Sequence, residues 1–148
     1  MATLTAPDGT QLIYDTYEPV SPRAALLFLH GWSDHAGRWA SLGERLGDAG
    51  YAVYALDQRG HGRSGGRRGH LSRFSQLLGD LQAFRRAVRR RRAELRHVLL
   101  GHSFGGLVAL RYLETQPSDP VTAAVLSSPW LALAAPPPRL KLALARVL

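Results

Sequence analysis

The sequence contains no cysteine, and only one of its 19 basic residues is a lysine. Without cysteine the chain forms neither disulfides nor thiolate metal sites. No run of 18 apolar residues occurs, so we expect no membrane-spanning helix. Residues 1–6 lack the basic and long apolar regions of a signal peptide, and we therefore expect a cytoplasmic location.

The composition is that of an ordinary globular protein. Apolar residues make up 45% of the 148 positions and charged residues 20%. This composition is typical of a folded chain and not of a disordered one. A chain of this length can bury one sizeable core, and no linker or internal repeat divides it. We therefore expect one domain over residues 1–148.

The basic residues are unevenly distributed. The net charge is +8, and residues 85–92 contain six arginines. Such a segment suits a solvated helix face, or else a surface for nucleic acid or an anionic membrane. No aromatic residue interleaves with these arginines, so we favour the solvated face and expect no nucleic-acid partner. A peripheral contact with a lipid surface stays open.

Strand-like and helix-like segments alternate along the chain. Continuous apolar runs predict strands that are buried on both faces, and apolar residues at 3.6-residue spacing predict helices. The predicted strands lie at 3–17 (a pair around a turn), 24–29, 51–56, 98–100 and 121–126. The predicted helices lie at 39–49, at 77–95 and after residue 103, the last of them stopping before Pro117. Residues 136–148 form a tail of uncertain type.

This alternation predicts an α/β fold with a mostly parallel sheet and helices on both faces. In such sheets, ligand chemistry lies beyond the carboxyl ends of the strands. His30, Asp57 and Ser103 each follow the last apolar residue of a predicted strand. We therefore expect all three to open onto one rim.

The segment Gly101-His102-Ser103-Phe104-Gly105 is a G-x-S-x-G element between a predicted strand and a predicted helix. In that context the serine sits on a sharp turn at a helix N-terminus, exposed for nucleophilic attack. The N–H of Phe104 would then face the developing oxyanion, and the N–H of Trp32, after the glycine in His30-Gly31, is the expected second donor.

Three motifs in this order resemble the α/β-hydrolase superfamily. They are residues 30–39, residues 57–64 and residues 101–106. Within the superfamily, the histidine-glycine loop with a downstream histidine and arginine resembles the monoacylglycerol lipase and lysophospholipase group, also called serine aminopeptidase-like hydrolases. Leu126-Ser127-Ser128-Pro129 is similar to that group's strand end after the nucleophile helix.

The resemblance implies a role for each matching residue. Ser103 would be the nucleophile, with Trp32 and Phe104 as the oxyanion hole. Support would come from His30, Gly31, His35, Arg38, Gly101, His102 and Gly105. Of these, His35 and Arg38 would fix the oxyanion loop, and His102 would be a hydrogen-bonded buried histidine. His61 is expected to be structural, and the chemistry requires neither a metal nor another cofactor.

The residues that should complete a serine triad are missing after Ser103. The superfamily order is serine, acid, histidine, yet no histidine follows His102, and the only later acids are Glu114 and Asp119. The resemblance covers the amino-terminal half of a typical member, without the last strands and the lid. We therefore expect a fragment, and a missing carboxy-terminal half or a partner chain is implied.

The sequence leaves two functions open. The favoured one is a carboxylic ester hydrolase acting on small acyl esters such as monoacyl lipids or lysophospholipids, through an acyl-enzyme on Ser103. A peptidase or thioesterase is a related reading. The alternative is a catalytically silent binding or interaction module that keeps the elbow without the triad.

Overall fold

The computed structural model describes residues 1–116, 118–119 and 121–132. Six strands and three α-helices are formed in this part of the chain. The strands are β1 (Ala2–Thr5), β2 (Gln11–Tyr17), β3 (Ala25–Leu29), β4 (Ala52–Asp57), β5 (His97–His102) and β6 (Ala123–Ser127). The helices are α1 (Ala40–Asp48), which follows a 3₁₀ turn at Ala36–Trp39, α2 (Phe74–Arg91) and α3 (Phe104–Thr115).

The strands form one sheet in the order β1-β2-β4-β3-β5-β6. The pairs β1–β2 and β2–β4 are antiparallel, whereas β3 pairs in parallel with both β4 and β5, and β5 with β6. The crossovers between parallel strands each contain a helix, as βαβ geometry requires. The predicted fold class is therefore confirmed.

The two central strands, β3 and β4, lie between two layers of helices. Every residue of β3 and β4 is buried, because helices cover both faces of the sheet. On one face Leu27 and Tyr54 belong to the large core that includes Phe84 of α2 and Tyr112 of α3. On the other face Phe28 belongs to a smaller cluster around Ala36 and Trp39.

The arginine-rich helix differs from its prediction at two points, although Arg86, Arg89, Arg90 and Arg91 are exposed as a solvated face requires. The helix ends at Arg91, and Leu95 packs against the core from the turn that follows it. Arg85 does not lie on a solvated face, because only 1% of it is exposed. Its Nη1 lies 2.5 Å from Asp119 and bonds the hydroxyl of Tyr112, so the buried cation is paired.

The predicted tail at 136–148 lies outside the described residues. Within the described ranges, every helix is too short or too polar to cross a membrane. The same residues contain no group of three or more His, Asp or Glu side chains arranged to hold a metal ion.

Candidate active site

Ser103 occupies a sharp turn between β5 and α3. Its backbone has φ 51° and ψ −116°, a conformation that non-glycine residues rarely adopt. The turn is held by hydrogen bonds on both sides of the residue. The Ser103 N–H donates to the carbonyl of Ser127 at 2.9 Å, and the Ser103 carbonyl accepts from Trp130 and Gly106 at 3.0 Å each. Neighbouring segments thus fix the strained backbone in place.

Close backbone packing explains the glycines around the serine. A Cβ on Gly105 would lie 2.2 Å from the carbonyl oxygen of Leu29, and one on Gly101 would lie 2.7 Å from the carbonyl oxygen of Gly105. Only glycine lets the first turn of α3 approach the end of β3 this closely.

The loop after β3 lies directly against the serine. A Cβ built on Gly31 would be 3.4 Å from Ser103 Cβ and 3.8 Å from Ser103 Oγ. Among the described residues, the N–H groups of Trp32 and Phe104 have no hydrogen-bond acceptor. Two free donors therefore flank the serine, as an oxyanion hole requires.

His30 orients the peptide that carries one of these donors. Its Nδ1–H donates to the carbonyl of Gly31 at 2.7 Å, and its Nε2 accepts the N–H of Gln58 at 3.0 Å. Because the Gly31–Trp32 peptide is trans, a carbonyl turned toward His30 directs the Trp32 N–H the opposite way. Burial lowers the pKa of His30, consistent with a neutral ring that accepts at Nε2.

Two carboxylates hold the same loop. Asp57 Oδ1 accepts the N–H of Ala36 at 2.7 Å, and its Oδ2 accepts the N–H and Nε of Arg63 at 3.0 and 2.8 Å. Burial raises the pKa of Asp57, but these hydrogen bonds outweigh burial and keep the pKa below its usual value. Asp34 accepts from the His35 N–H at 2.9 Å and from Trp39 Nε1 at 2.8 Å.

These contacts correct the expectation that His30 and Asp57 open onto the rim. Both side chains are fully buried. The Gly31 carbonyl and the Gln58 N–H satisfy the ring nitrogens of His30, and backbone N–H groups together with the Arg63 side chain satisfy the Asp57 carboxylate. His35 and Arg38 are exposed instead, and Arg38 Nε lies 3.6 Å from Asp34. Their predicted support of the loop stays a prediction, whereas Asp34 and Asp57 accept hydrogen bonds from the loop.

The histidines nearest the serine are engaged elsewhere. His102 is half-buried rather than buried, with Nδ1 3.2 Å from Ser127 Oγ and its ring 5.0 Å from the ring of Trp39. His61 Nδ1–H donates to the carbonyl of Arg59, and its ring packs edge-on against Trp32. Within the described ranges, no side chain forms a hydrogen bond with Ser103 Oγ.

The two acids that follow Ser103 do not reach it either. Glu114 pairs with Arg111 on the exposed surface of α3. Asp119 lies in the turn after α3, where it accepts from the hydroxyl of Tyr112 and pairs with Arg85. Burial and the Asp119 carboxylate raise the pKa of Tyr112 to about 12. The described residues thus contain a strained serine and two N–H groups without an acceptor, and no acid–base pair contacts the serine hydroxyl.

An apolar groove of about 340 Å³ lies along the first turn of α3. It is lined by Phe74, Phe104, Leu107, Trp130, Leu131 and Ala132. Phe104 lines this groove and also carries one of the two free N–H groups. Its ring packs against those of Trp32 and Trp130 at 5.1 and 6.0 Å. The groove therefore includes the residue that directly follows Ser103.

The chain matches known proteins over most of its length. Residues 20–148 match the model of the family described as serine aminopeptidase, S33. The chain is 39% identical over 122 residues to the monoacylglycerol lipase of Mycolicibacterium smegmatis, a match that covers 82% of this chain and 43% of that protein. It is 35% identical to phospholipase YtpA of Bacillus subtilis, covering 80% and 45% of the two chains.

The solved structures agree with the sequence relatives. The crystal structure of the Paleococcus ferrophilus monoacylglycerol lipase has a TM-score of 0.74 and 37% identity to this chain, covering 92% of it and 50% of the lipase. The chain thus spans about half the length of the relatives that it matches. The family match and the shared sheet lead to one conclusion: this chain belongs to the serine aminopeptidase S33 family of α/β-hydrolases and resembles its monoacylglycerol lipase group.

Proposed function

We propose that this chain supplies the nucleophile and the oxyanion hole of a carboxylic ester hydrolase that acts on monoacyl lipids. The observation that carries the proposal is the pair of free N–H donors at Trp32 and Phe104 beside the strained Ser103. Two relatives named monoacylglycerol lipase and phospholipase support an acyl ester of this kind as the substrate.

In the proposed reaction, Ser103 Oγ bonds to the acyl carbon, and the carbonyl oxygen becomes an oxyanion that Trp32 and Phe104 stabilise. The ester C–O bond then breaks, and the leaving alcohol takes the proton that the serine lost. Water releases the acid from the acyl-enzyme in a second displacement. Each of the two donors is worth about 3 kcal/mol of transition-state stabilisation in such sites.

The apolar groove is the proposed place for the acyl chain. Phe104, Leu107 and Trp130 provide the apolar walls, and each methylene that they bury contributes about 0.8 kcal/mol to binding. The groove's volume of about 340 Å³ lies at the lower end of the range for ligand pockets. A single acyl chain suits this space.

The general base and its orienting acid are proposed to come from a polypeptide segment outside residues 1–148. Every acid after Ser103 is engaged elsewhere, and the sequence has no later histidine. The edge strand β6 is where such a segment would join the sheet. In this proposal the chain is the amino-terminal part of the hydrolase domain.

The experiment is labelling with an alkyl fluorophosphonate, which reacts with an activated serine. Intact mass and peptide mapping measure the adduct on the purified chain, first alone and then with imidazole as an external base. We expect slow labelling at Ser103 that imidazole accelerates, and none in Ser103→Ala. Adding the carboxy-terminal half of the Mycolicibacterium smegmatis lipase tests whether a second segment accelerates it further.

A silent binding module is the second candidate, favoured by the lack of any side chain on Ser103 Oγ in the described ranges. The same labelling experiment separates the two functions. If Ser103 stays unlabelled with imidazole and with the added half, the hydrolase proposal is wrong and the silent module stands.

A further inference from the structure

Gln58, the residue that directly follows β4, holds the end of β3 through both its backbone and its side chain. It is 3% exposed, and its Nε2 donates to the carbonyl of His30 at 2.7 Å. Because a carbonyl can only accept, the amide nitrogen and not the amide oxygen faces it. The backbone N–H of Gln58 donates to Nε2 of the same histidine at 3.0 Å. One residue thus contacts both the ring and the carbonyl of another that lies 28 positions earlier in the chain.

The His30 carbonyl adjoins both segments that carry the free N–H groups of the candidate site. On one side, its peptide leads into Gly31, and the next peptide carries the N–H of Trp32. On the other side, a Cβ on Gly105, the residue after Phe104, would lie 2.5 Å from the carbonyl oxygen. The position of this carbonyl therefore affects how the two N–H groups lie relative to each other.

The surroundings of the Gln58 side chain are mostly aliphatic. The residues that line the same space are Leu29, Leu56, Leu77, Leu81, Val108 and Asp80. The carboxylate of Asp80 is paired with Arg59 Nε at 2.5 Å, and a carboxylate can only accept. The amide oxygen of Gln58 has no hydrogen-bond partner among the described residues. The donor is therefore the part of this amide that the structure uses, and no neighbouring side chain in this space replaces it.

We propose that Gln58 is a positioning residue for the oxyanion hole, whose amide holds the peptide between residues 30 and 31 so that both free N–H groups point to one oxyanion. The inference rests on the proposed function of Ser103 as a nucleophile. Gln58 acts through His30 and not on the substrate. Its backbone N–H keeps the histidine ring in the state with the proton on Nδ1, and its side chain holds the carbonyl of the same residue.

Two substitutions separate the donor from the bulk of the side chain. Gln58→Met has nearly the same length and removes the donor, while the backbone N–H that bonds the His30 ring remains. Gln58→Glu has the same shape, and its carboxyl group donates to the His30 carbonyl only when it is protonated. Gln82→Met is the matched control, because Gln82 is a half-buried glutamine of α2 whose amide lies 3.5 Å from Gln116.

The first measurement is the rate of fluorophosphonate labelling at Ser103 in the presence of imidazole. We expect Gln58→Met to slow labelling at least about tenfold, since a misdirected oxyanion donor loses most of its effect on the transition state. Gln82→Met should change the rate less than about twofold.

The pH dependence of labelling tests the donor itself. For Gln58→Glu, the rate relative to the unsubstituted chain at the same pH should fall at least about tenfold between pH 5.5 and pH 9, because the ionised carboxylate no longer donates. The same ratio for Gln58→Met should stay constant. The ratio also removes the titration of the groups around this side chain, which both chains share: His30, Asp57, Arg59, His61 and Asp80.

The second measurement does not depend on labelling at the serine. In ¹⁵N-enriched chains, Gln58→Met should shift the amide signal of Trp32 and leave the His30 ring with its proton on Nδ1, because the backbone N–H still occupies Nε2. If Ser103 of the unsubstituted chain stays unlabelled, the hydrolase proposal is wrong, and the Trp32 signal still tests the positioning role of Gln58.

Equal labelling rates of Gln58→Met and Gln82→Met, a pH-independent ratio for Gln58→Glu, or an unmoved Trp32 amide signal in Gln58→Met would each overturn the proposal. Urea unfolding at both pH values checks that every variant is folded. If Gln58→Met does not fold, the pH profile of Gln58→Glu decides the question, because both ends of that profile are measured on the same protein.

Discussion

Ser103 combines a strained backbone with a hydroxyl that has no hydrogen-bond partner among the described residues. A non-glycine residue at φ 51° and ψ −116° costs roughly 1–3 kcal/mol, and hydrogen bonds to Ser127, Trp130 and Gly106 keep it there. A serine that contributed only to folding would relax or gain a partner. The residue therefore lowers the stability of the fold at the position of the proposed nucleophile.

Replacing Ser103 by glycine should stabilise the chain by about 1 kcal/mol or more. Glycine adopts the positive φ without steric cost, and the serine hydroxyl contributes no hydrogen bond that would be lost. Ser103→Ala is the matched control, because it removes the same hydroxyl and keeps the Cβ that causes the strain. Urea unfolding of the two variants measures the difference, and equal stability of the two would contradict the strain at this residue.

The sequence indicated those site residues that belong to a local motif. It did not indicate residues whose role depends on contacts between distant segments. Ser103 and Gly31 belong to motifs that follow apolar strands, and the structure places Ser103 within 4 Å of the position that a Cβ on Gly31 would take. Asp34 was not singled out, because its bond to Trp39 depends on the 3₁₀ turn between them. Ser127 was noted only within a strand-end motif, because its contacts with His102 and Ser103 join segments about 25 residues apart.

Among the elements, the first turn of α3 is fixed by how closely it approaches β3. A Cβ on Gly105 would lie 2.2 and 2.5 Å from the carbonyl oxygens of Leu29 and His30, which are backbone atoms that cannot rotate away. Gly79 in α2 is different, since a Cβ there would meet only the ring of Pro7 at 3.4 Å. A methyl group thus has no room at Gly105 but has room at Gly79.

Gly105→Ala should therefore destabilise the chain by about 3 kcal/mol or more, since α3 must move away from β3 to accommodate the methyl group. Gly79→Ala should stabilise it by up to about 1 kcal/mol, because alanine is the better helix former and has room. Chemical denaturation measures both. If Gly105→Ala were as stable as Gly79→Ala, the close approach of α3 to the sheet would be wrong.

For the arginine-rich helix α2, the sequence pattern predicts the apolar core face but not the burial of a charged residue. Apolar spacing predicted the helix at 77–95, and the apolar residues Leu77, Leu81 and Phe84 on its core face are buried. The same spacing could not reveal that Arg85 is buried, because its partner Asp119 lies 34 residues further along the chain. Burial of a charge depends on a tertiary partner that no local pattern contains.

At the scale of the whole molecule, the sheet has a buried centre, and in the described part of the chain its edge strand β6 lacks protecting residues. Continuous apolar runs made β3 and β4 predictable, since both faces of these strands are covered. The described part of the chain pairs β6 only with β5, and most of its residues are exposed. Its sequence, Ala-Ala-Val-Leu-Ser, has neither charge nor proline, the features that usually keep an edge strand from pairing with another chain.

We therefore expect the purified chain to self-associate through β6 as its concentration rises. Val125, which is 53% exposed at the middle of the strand, is the position to change. Val125→Lys should weaken self-association about tenfold, because a charged side chain on an edge strand opposes pairing. Val20→Lys adds the same charge at a fully exposed position outside the sheet and should have no effect. Sedimentation velocity over a concentration series measures this, and a chain that stays monomeric throughout, or equal behaviour of the two variants, would show that β6 is not an open edge.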